Sequence, residues 1–319
     1  MSKSFIIIDG NSIGHAAANT PALSVDGENV HAIFQSLKMI KATVKENKDE
    51  YETPLVLWDG SEYWRKDIYP EYKCRDSKDE KAKLVAEDYK RQRPTLIKAL
   101  SRLGITQIVG KKQEADDIAG YLSRKYSEAG HKVLMVTGDK DWLQLVRQNV
   151  AWHDPVRKRS CNKASFYEFT GFQSTAEFLQ GKALIGDKGD NIDGITGIGE
   201  KCAPLIMEEF GSVEGLFKNF ESHKCFDKKT GTLPASLSRY KTKLNNFCTS
   251  DELRERYQRN IHLMDLMTVN LKADDLKIVK SPANILKFKE LCEDHQFASI
   301  TRTMGEWSNT FTGERKYNV

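Results

Sequence analysis

The sequence predicts an α/β protein, with a mainly parallel central sheet flanked by helices and a mainly helical second lobe behind it. Three observations carry this. Short β-branched runs alternate with helix-length segments through the first half of the chain. Several of those runs end at, or just before, acidic residues. From about Ser174 the strand pattern fades and helical segments take over.

Taken in order, the predicted strands are Phe5–Asp9, Pro54–Asp59, Ile105–Val109, Val133–Thr137 and Val150–His153. Between them the spacing predicts helices over Val30–Glu46, Leu84–Leu103, Ala115–Ala129 and Lys140–Arg147. This β-α-β-α order implies a doubly wound core. We place that core at residues 1–182 and a helical lobe at 183–319. The lobe's stretch from Lys218 to Arg259 holds ten basic and five acidic residues, so it is locally positive.

At 319 residues the chain is long enough to bury a substantial core. No apolar run approaches the length of a membrane span, so no membrane association is expected. The apolar stretch after Ser4 is four residues, too short for a signal peptide, and the expected location is the cytoplasm. The six cysteines (Cys74, Cys161, Cys202, Cys225, Cys248, Cys292) stand singly, without a CxxC pair, and read as reduced thiols rather than zinc ligands.

Acids gather where strands end. Phe5–Ile8 runs into Asp9, and Leu55–Trp58 into Asp59; Val133–Thr137 is followed by Asp139 and Asp141. Ile105–Val109 leads through a short loop to Glu114, Asp116 and Asp117, and a fifth group, Asp187 and Asp190, opens the helical lobe. Each group alone is explained as readily by helix capping or by the helix dipole. Together they are not. In a parallel sheet these strand ends share one edge, the edge at which α/β proteins place their sites. Nine carboxylates converging there would repel one another by kilocalories unless cations neutralised them. Oxygen-only ligands select hard ions, Mg²⁺ or Mn²⁺, and two such ions about 3.5–4 Å apart are a common apparatus for cutting phosphodiesters. Removing these nine charges from a formal total of +4 leaves +13, a basic body around an acidic pocket that suits a phosphate-rich partner.

Two further segments suit phosphate. Gly194-Ile195-Thr196-Gly197-Ile198-Gly199-Glu200-Lys201 reads as a tight turn before a helix, either a plain interhelical turn or one whose backbone N–H groups face DNA. It is not a P-loop, because Glu200 follows Gly199 where a lysine is required. Arg65, Lys66, Tyr72, Lys73 and Arg75 interleave bases with aromatics just after a strand-end acid. They read as a solvated surface or as a surface for base stacking and phosphate contact.

Together the motifs IIIDGNS (6–12), WDG (58–60), YPEYK (69–73), EADD (114–117), TGDKDWLQL (137–145) and GDKGDNIDGITGIGEK (186–201) resemble the 5′-nuclease family. That family comprises flap endonucleases and 5′–3′ exonucleases, including bacteriophage enzymes and the 5′-nuclease domain of bacterial DNA polymerase I. The resemblance covers roughly residues 4–220. It implies two Mg²⁺ ions, with Mn²⁺ an acceptable substitute. Asp59, Glu114, Asp116 and Asp117 would hold the first, Asp141, Asp187 and Asp190 the second, with Asp9 and Asp139 near both. It implies that Lys73 contacts the scissile phosphate beside Tyr72, at the base of an arch spanning about residues 69–93. It also implies a helix–hairpin–helix at Gly194, Gly197 and Gly199 that binds duplex backbone, often with K⁺. The expected partners are DNA with a 5′ flap, a 5′ end or a single-strand/duplex junction, and RNA–DNA hybrids. A monomeric, free-standing enzyme of a bacterium or a phage-infected cell is expected. Two features depart from the family pattern: Arg75 follows Lys73 after one residue instead of two, and Pro204 falls early in the helix after the hairpin. The alternatives at this stage are a PIN-like ribonuclease and a non-catalytic, structure-specific DNA-binding protein. The second would have lost acids from the nine positions, and none is lost.

Overall fold

The computed structural model describes residues 3–74, 79–223, 226 and 232–312. The seven strands of its central sheet are β1 (Ser4–Asp9), β2 (Thr53–Trp58), β3 (Thr106–Gly110), β4 (Lys132–Val136), β5 (Val150–Asp154), β6 (Arg159–Cys161) and β7 (Leu276–Val279), in the order β7-β3-β2-β1-β4-β5-β6. The five inner strands pair parallel, and β6 and β7 close the edges antiparallel. The chain fills one side of β1 with β2 and β3, then crosses over to place β4 on its other side. The C-terminal ends of β1 and β4 therefore flank the switch point, where α/β sheets open a crevice. Register levels those ends: Ile8 faces Val56 on one side and Val136 on the other.

Strand alternation splits the core between the two sheet faces. Ile6, Ile8, Val56 and Trp58 point to one face, where Ile33, Leu37, Ile40 and Val44 of the His31–Glu46 helix and Leu96 and Leu100 of the Glu80–Arg102 helix cover them. Ile7, Leu55, Leu57 and Met135 point to the other face, and pack with Ile118, Trp142 and Trp152. That second core runs on without a break into Leu184, Ile195, Ile206 and Phe247 of the helical lobe. The lobe and the sheet thus share one apolar interior, which fixes the loop opening at Gly186 against the sheet edge.

The five predicted strands are present, and three features differ from the sequence expectations. The segment 140–147 forms a short 3₁₀ turn, Asp141–Leu145, because Trp142, Leu143 and Leu145 are all buried and a two-sided apolar run packs without amphipathic periodicity. The helix expected from Leu84 starts at Glu80, capped by Asp79, whose carboxylate accepts from the Lys81 and Ala82 N–H groups. The lobe expected over 183–319 does not stay apart: β7 joins the sheet, and Phe288, Phe297, Trp307 and Phe311 pack beneath the face that carries Ile6. β7 is a four-residue edge strand without alternating burial, so it carries no period-two signal. Arg75 and the charged run 76–78 lie outside the described residues, so the arch expected over 69–93 is described only as the Tyr69–Cys74 turn and the helix from Glu80. Among the described residues, no helix is long and apolar enough to cross a membrane.

Candidate nuclease site

Asp9 closes β1 at the switch point. One carboxylate oxygen caps the Gly10–Ala18 helix by accepting from Ser12 N at 2.9 Å, and the other accepts from Thr137 Oγ1 at 2.9 Å. The capping explanation is therefore true, and it also orients the carboxyl. Asp59 accepts from Ala115 N at 2.9 Å, tying the end of β2 to the start of the Ala115–Glu128 helix. Trp142 Nε1 donates to Asp116 at 2.6 Å, and Asp139 accepts from Asp141 N at 2.7 Å. Asp187 accepts from Asp190 N at 3.3 Å within the loop that opens the helical lobe.

These acids feel one another. Burial, then the facing Asp59 charge, raises Asp9 to about 6 against two backbone hydrogen bonds and one from Thr137 that lower it. Asp116 is raised well above the usual carboxylate range by burial and then by Asp139, Glu114 and Asp9. Solvent still reaches one side of Asp139; crowding by protein on the rest and the nearby Asp141 and Asp9 push it up. Such a set is a concentration of oxygen donors carrying more negative charge than its own protein neighbours cancel, and that chemistry fits hard divalent cations. Among the described residues, no group of three acids stands close enough to hold an ion as placed. Side-chain ammonium groups lie among the acids instead.

One is Lys73, at φ +55°, a left-handed conformation that a non-glycine residue adopts only when its surroundings impose it. The surroundings are explicit: Lys73 N donates to Asp190 O at 2.9 Å, and Asn191 Nδ2 donates to Glu71 O at 2.8 Å. The Tyr69–Cys74 turn is thereby stapled to the Asp187–Asn191 loop. The Lys73 ammonium pairs with Glu114 and reaches Asp190 at 3.9 Å. The other is Lys182, in the last turn of the Thr175–Ile185 helix, which the sequence reading missed. Its ammonium lies 2.7 Å from Asp141 and 3.0 Å from Asp187. A lysine five residues before Asp187 carries no sequence signal, because a basic residue in a helix's last turn is ordinary dipole compensation. Arg93 was also missed: it donates to the Asp59 carbonyl at 3.3 Å, with its guanidinium 5.0 Å from the Trp58 ring centre.

Three expectations are corrected. Arg65, expected at the DNA surface, is 2% exposed; it pairs with Asp117 through both terminal nitrogens at 2.7 and 2.9 Å, with Glu114 at 2.8 Å, and donates from Nε to Leu263 O at 2.7 Å. Asp117, expected as a metal ligand, is fully buried, with Trp64 Nε1 and Glu114 N completing its hydrogen bonds, so its oxygens point into the foundation of the site. Tyr72, expected to stack a base, is 1% exposed, with its hydroxyl between Glu114 (2.8 Å) and Asp190 (2.9 Å). All three follow from one cause: the guanidinium of Arg65, the first residue of the Arg65–Ile68 helix, is drawn in among carboxylates and packs with its neighbours there. Lys66 remains exposed, near Cys74 Sγ.

The glycine hairpin projects from the same lobe. Ile195 and Ile198 are buried and anchor it, Ile195 N donates to Leu184 O at 2.7 Å, and Gly199 O accepts from Cys202 N and Ala203 N. Gly194 is required by close approach, since a Cβ there would stand 2.1 Å from Ile185 O, and Gly197 by its φ of +84° beside the Lys243 stem. Gly199 and Lys201 face open space. Pro204 causes no kink, because it falls in the first turn of the Ala203–Phe210 helix, where no intrahelical N–H bond is lost.

A mainly parallel sheet that gathers carboxylates at its switch point, with the Lys73 ammonium among them and a helix–hairpin–helix in the adjoining lobe, defines a site for phosphodiester chemistry of the 5′-nuclease class. Residues 4–171 match the family model of the 5′–3′ exonuclease N-terminal, resolvase-like domain, and residues 174–279 that of the 5′–3′ exonuclease C-terminal SAM fold. The chain belongs to the 5′–3′ exonuclease family. It is 30% identical over 292 residues to a 5′–3′ exonuclease of Aquifex aeolicus, covering 90% of this chain and 91% of that protein. It is 30% identical over 236 residues to DNA polymerase I of Streptococcus pneumoniae, covering 70% of this chain but 26% of the polymerase. In fold it is similar to the bacteriophage T5 5′-exonuclease solved with divalent metal ions, at a TM-score of 0.65 and 22% identity, covering 96% of this chain and all of that one.

Proposed function

We propose that this chain hydrolyses DNA phosphodiester bonds near 5′ ends and at single-strand/duplex junctions, 5′ flaps above all, leaving 5′-phosphorylated products. The observation that carries this is the union of overcharged carboxylates at one sheet edge with the Lys73 ammonium and an outward-facing glycine hairpin. Asp9, Asp59, Glu114, Asp116 and Asp139 from the α/β body, with Asp141, Asp187 and Asp190, would hold two Mg²⁺ ions, for which Mn²⁺ can substitute. When bound, such ions polarise the phosphate and make a water nucleophilic at neutral pH.

The protein's own share is positional and electrostatic. Ser12 and Thr137 fix the Asp9 carboxyl, and Trp142 fixes Asp116. Lys73 supplies a cation at the mouth of the acidic pocket; turned outward, its flexible stem can carry that charge to a scissile phosphate. The Gly199 end of the hairpin and Lys201 hold duplex backbone at a fixed distance from the acids, which restricts cutting to the neighbourhood of a junction. In the proposed division of the chain at 182/183, this duplex grip belongs to the second part. RNA–DNA hybrids as substrates, K⁺ at the hairpin, action as a monomer and a cytoplasmic location in a bacterial or phage-infected cell rest on the family resemblance. The direct test is a labelled 5′-flap duplex incubated with Mg²⁺, Mn²⁺, Ca²⁺ or chelator. Cleavage near the junction with Mg²⁺ or Mn²⁺, and none with Ca²⁺ or chelator, is expected; full cleavage in excess chelator would refute the two-ion site.

A further inference from the structure

We infer that Lys182 is a tethered stand-in cation, holding Asp141 and Asp187 together in the metal-free protein and withdrawing when a divalent ion enters. The inference rests on the proposed two-ion site. Asp141 sits in the 3₁₀ turn after β4, whereas Asp187 ends the two-residue strand Gly186–Asp187 that opens the helical lobe. Among the described residues the Lys182 ammonium bridges this pair, at 2.7 and 3.0 Å from oxygens of the two acids. The other Asp187 oxygen is taken by the Gly189 and Asp190 N–H groups. The ammonium therefore occupies a position from which a cation touches both carboxylates.

A lysine suits this place better than an arginine. Its charge is compact, like a metal ion's, and it rides on four rotatable methylenes, so it can leave without moving the helix. The Lys182 side chain is 22% exposed, so its head has a route to solvent. The apolar core and the staple to the Tyr69–Cys74 turn keep the loop at the sheet edge, so without a cation the two acids would be held facing each other and would repel. One positive charge holds them, while two, brought by a divalent ion, hold them better. The ion's net gain is then the difference between the two states. The consequence is an ordered occupancy: an ion shared by Asp141 and Asp187 must displace the ammonium and binds more weakly than one held by Asp9, Asp59 and Asp116.

The test uses the full chain and Ca²⁺ alone, without DNA, so that binding is read apart from cleavage. Calorimetric titration of wild type should show two classes of Ca²⁺ site. In Lys182→Met the weaker class should tighten by roughly tenfold, the size of a modest coupling between competing ligands. Its melting temperature in chelator should fall below wild type's and recover on adding Ca²⁺. In wild type, acetylation of Lys182 by an amine reagent, read by mass spectrometry, should rise on saturation with Ca²⁺; this arm holds even if the variant folds poorly. Unchanged or weaker Ca²⁺ binding by folded Lys182→Met, or Lys182 labelling indifferent to saturating Ca²⁺, would overturn the inference and leave the two-ion site standing. A wild-type protein that binds neither Ca²⁺ nor Mn²⁺ would overturn both.

Discussion

Arg65 separates a structural from a DNA-binding role by measurement. Replacing it with methionine keeps most of the stem volume but removes the guanidinium from Asp117 and Glu114, which are 0% and 1% exposed. The hydrogen bond from Nε to Leu263 O, which ties the turn to the helical lobe, is lost as well. Removing one partner of a buried ion pair leaves an uncompensated charge and typically costs about 3–5 kcal/mol. Glu114 keeps the Lys73 ammonium, so the lower half of that range is expected, about 3–4 kcal/mol. That is a large part of a whole-protein stability of about 5–15 kcal/mol. In urea, followed by tryptophan fluorescence, Arg65→Met should unfold at a clearly lower midpoint with an unchanged slope. The double variant Arg65→Met/Asp117→Asn removes the stranded charge yet keeps an oxygen for the Trp64 Nε1 and Glu114 N–H groups, and should regain at least about 1 kcal/mol. Unchanged stability of Arg65→Met, together with weaker and less salt-sensitive DNA binding, would refute this reasoning and return Arg65 to the DNA surface.

The remaining predictions concern chemistry and binding. Asp139→Asn and Asp187→Asn should each lower flap cleavage by at least about 10²-fold, as loss of a preorganised electrostatic group does, while flap binding in Ca²⁺ stays near wild type; normal cleavage by Asp139→Asn in Mg²⁺ would remove that residue from the site. Gly199→Asp, chosen because Gly199 has room for a side chain whereas Gly197 would be strained, should weaken duplex binding and flatten its salt dependence. An unchanged salt slope would make the hairpin a plain interhelical turn. Lys73→Ala should lower the single-turnover rate by about 10²–10³-fold and ground-state DNA affinity far less; equal losses in both would make Lys73 a general binding residue.

The sequence by itself determined the layers and the chemistry of the site. The period-two alternation of Ile6, Ile7 and Ile8 assigns neighbouring side chains to opposite sheet faces, and an acid at the end of a parallel strand has to lie at one edge. These are consequences of local geometry and hold before any packing is known. What the sequence could not determine is which charged side chain answers which. Arg65 and Lys73 look alike in a line of bases and aromatics, yet one is buried beneath the acids and the other stands at their mouth. The choice is made by Asp117, Glu114 and Asp190, residues 41 to 118 positions away for Lys73's and Tyr72's partners. The Lys182 bridge is decided in the same way: its two acids meet only because Leu184, Ile195 and Ile198 share the interior of the sheet and bring the Asp187 loop to the end of β4. A charge's worth depends on burial and on the charges around it, and both are set by chain segments far apart in sequence, so only the tertiary structure could tell surface cations from internal ones.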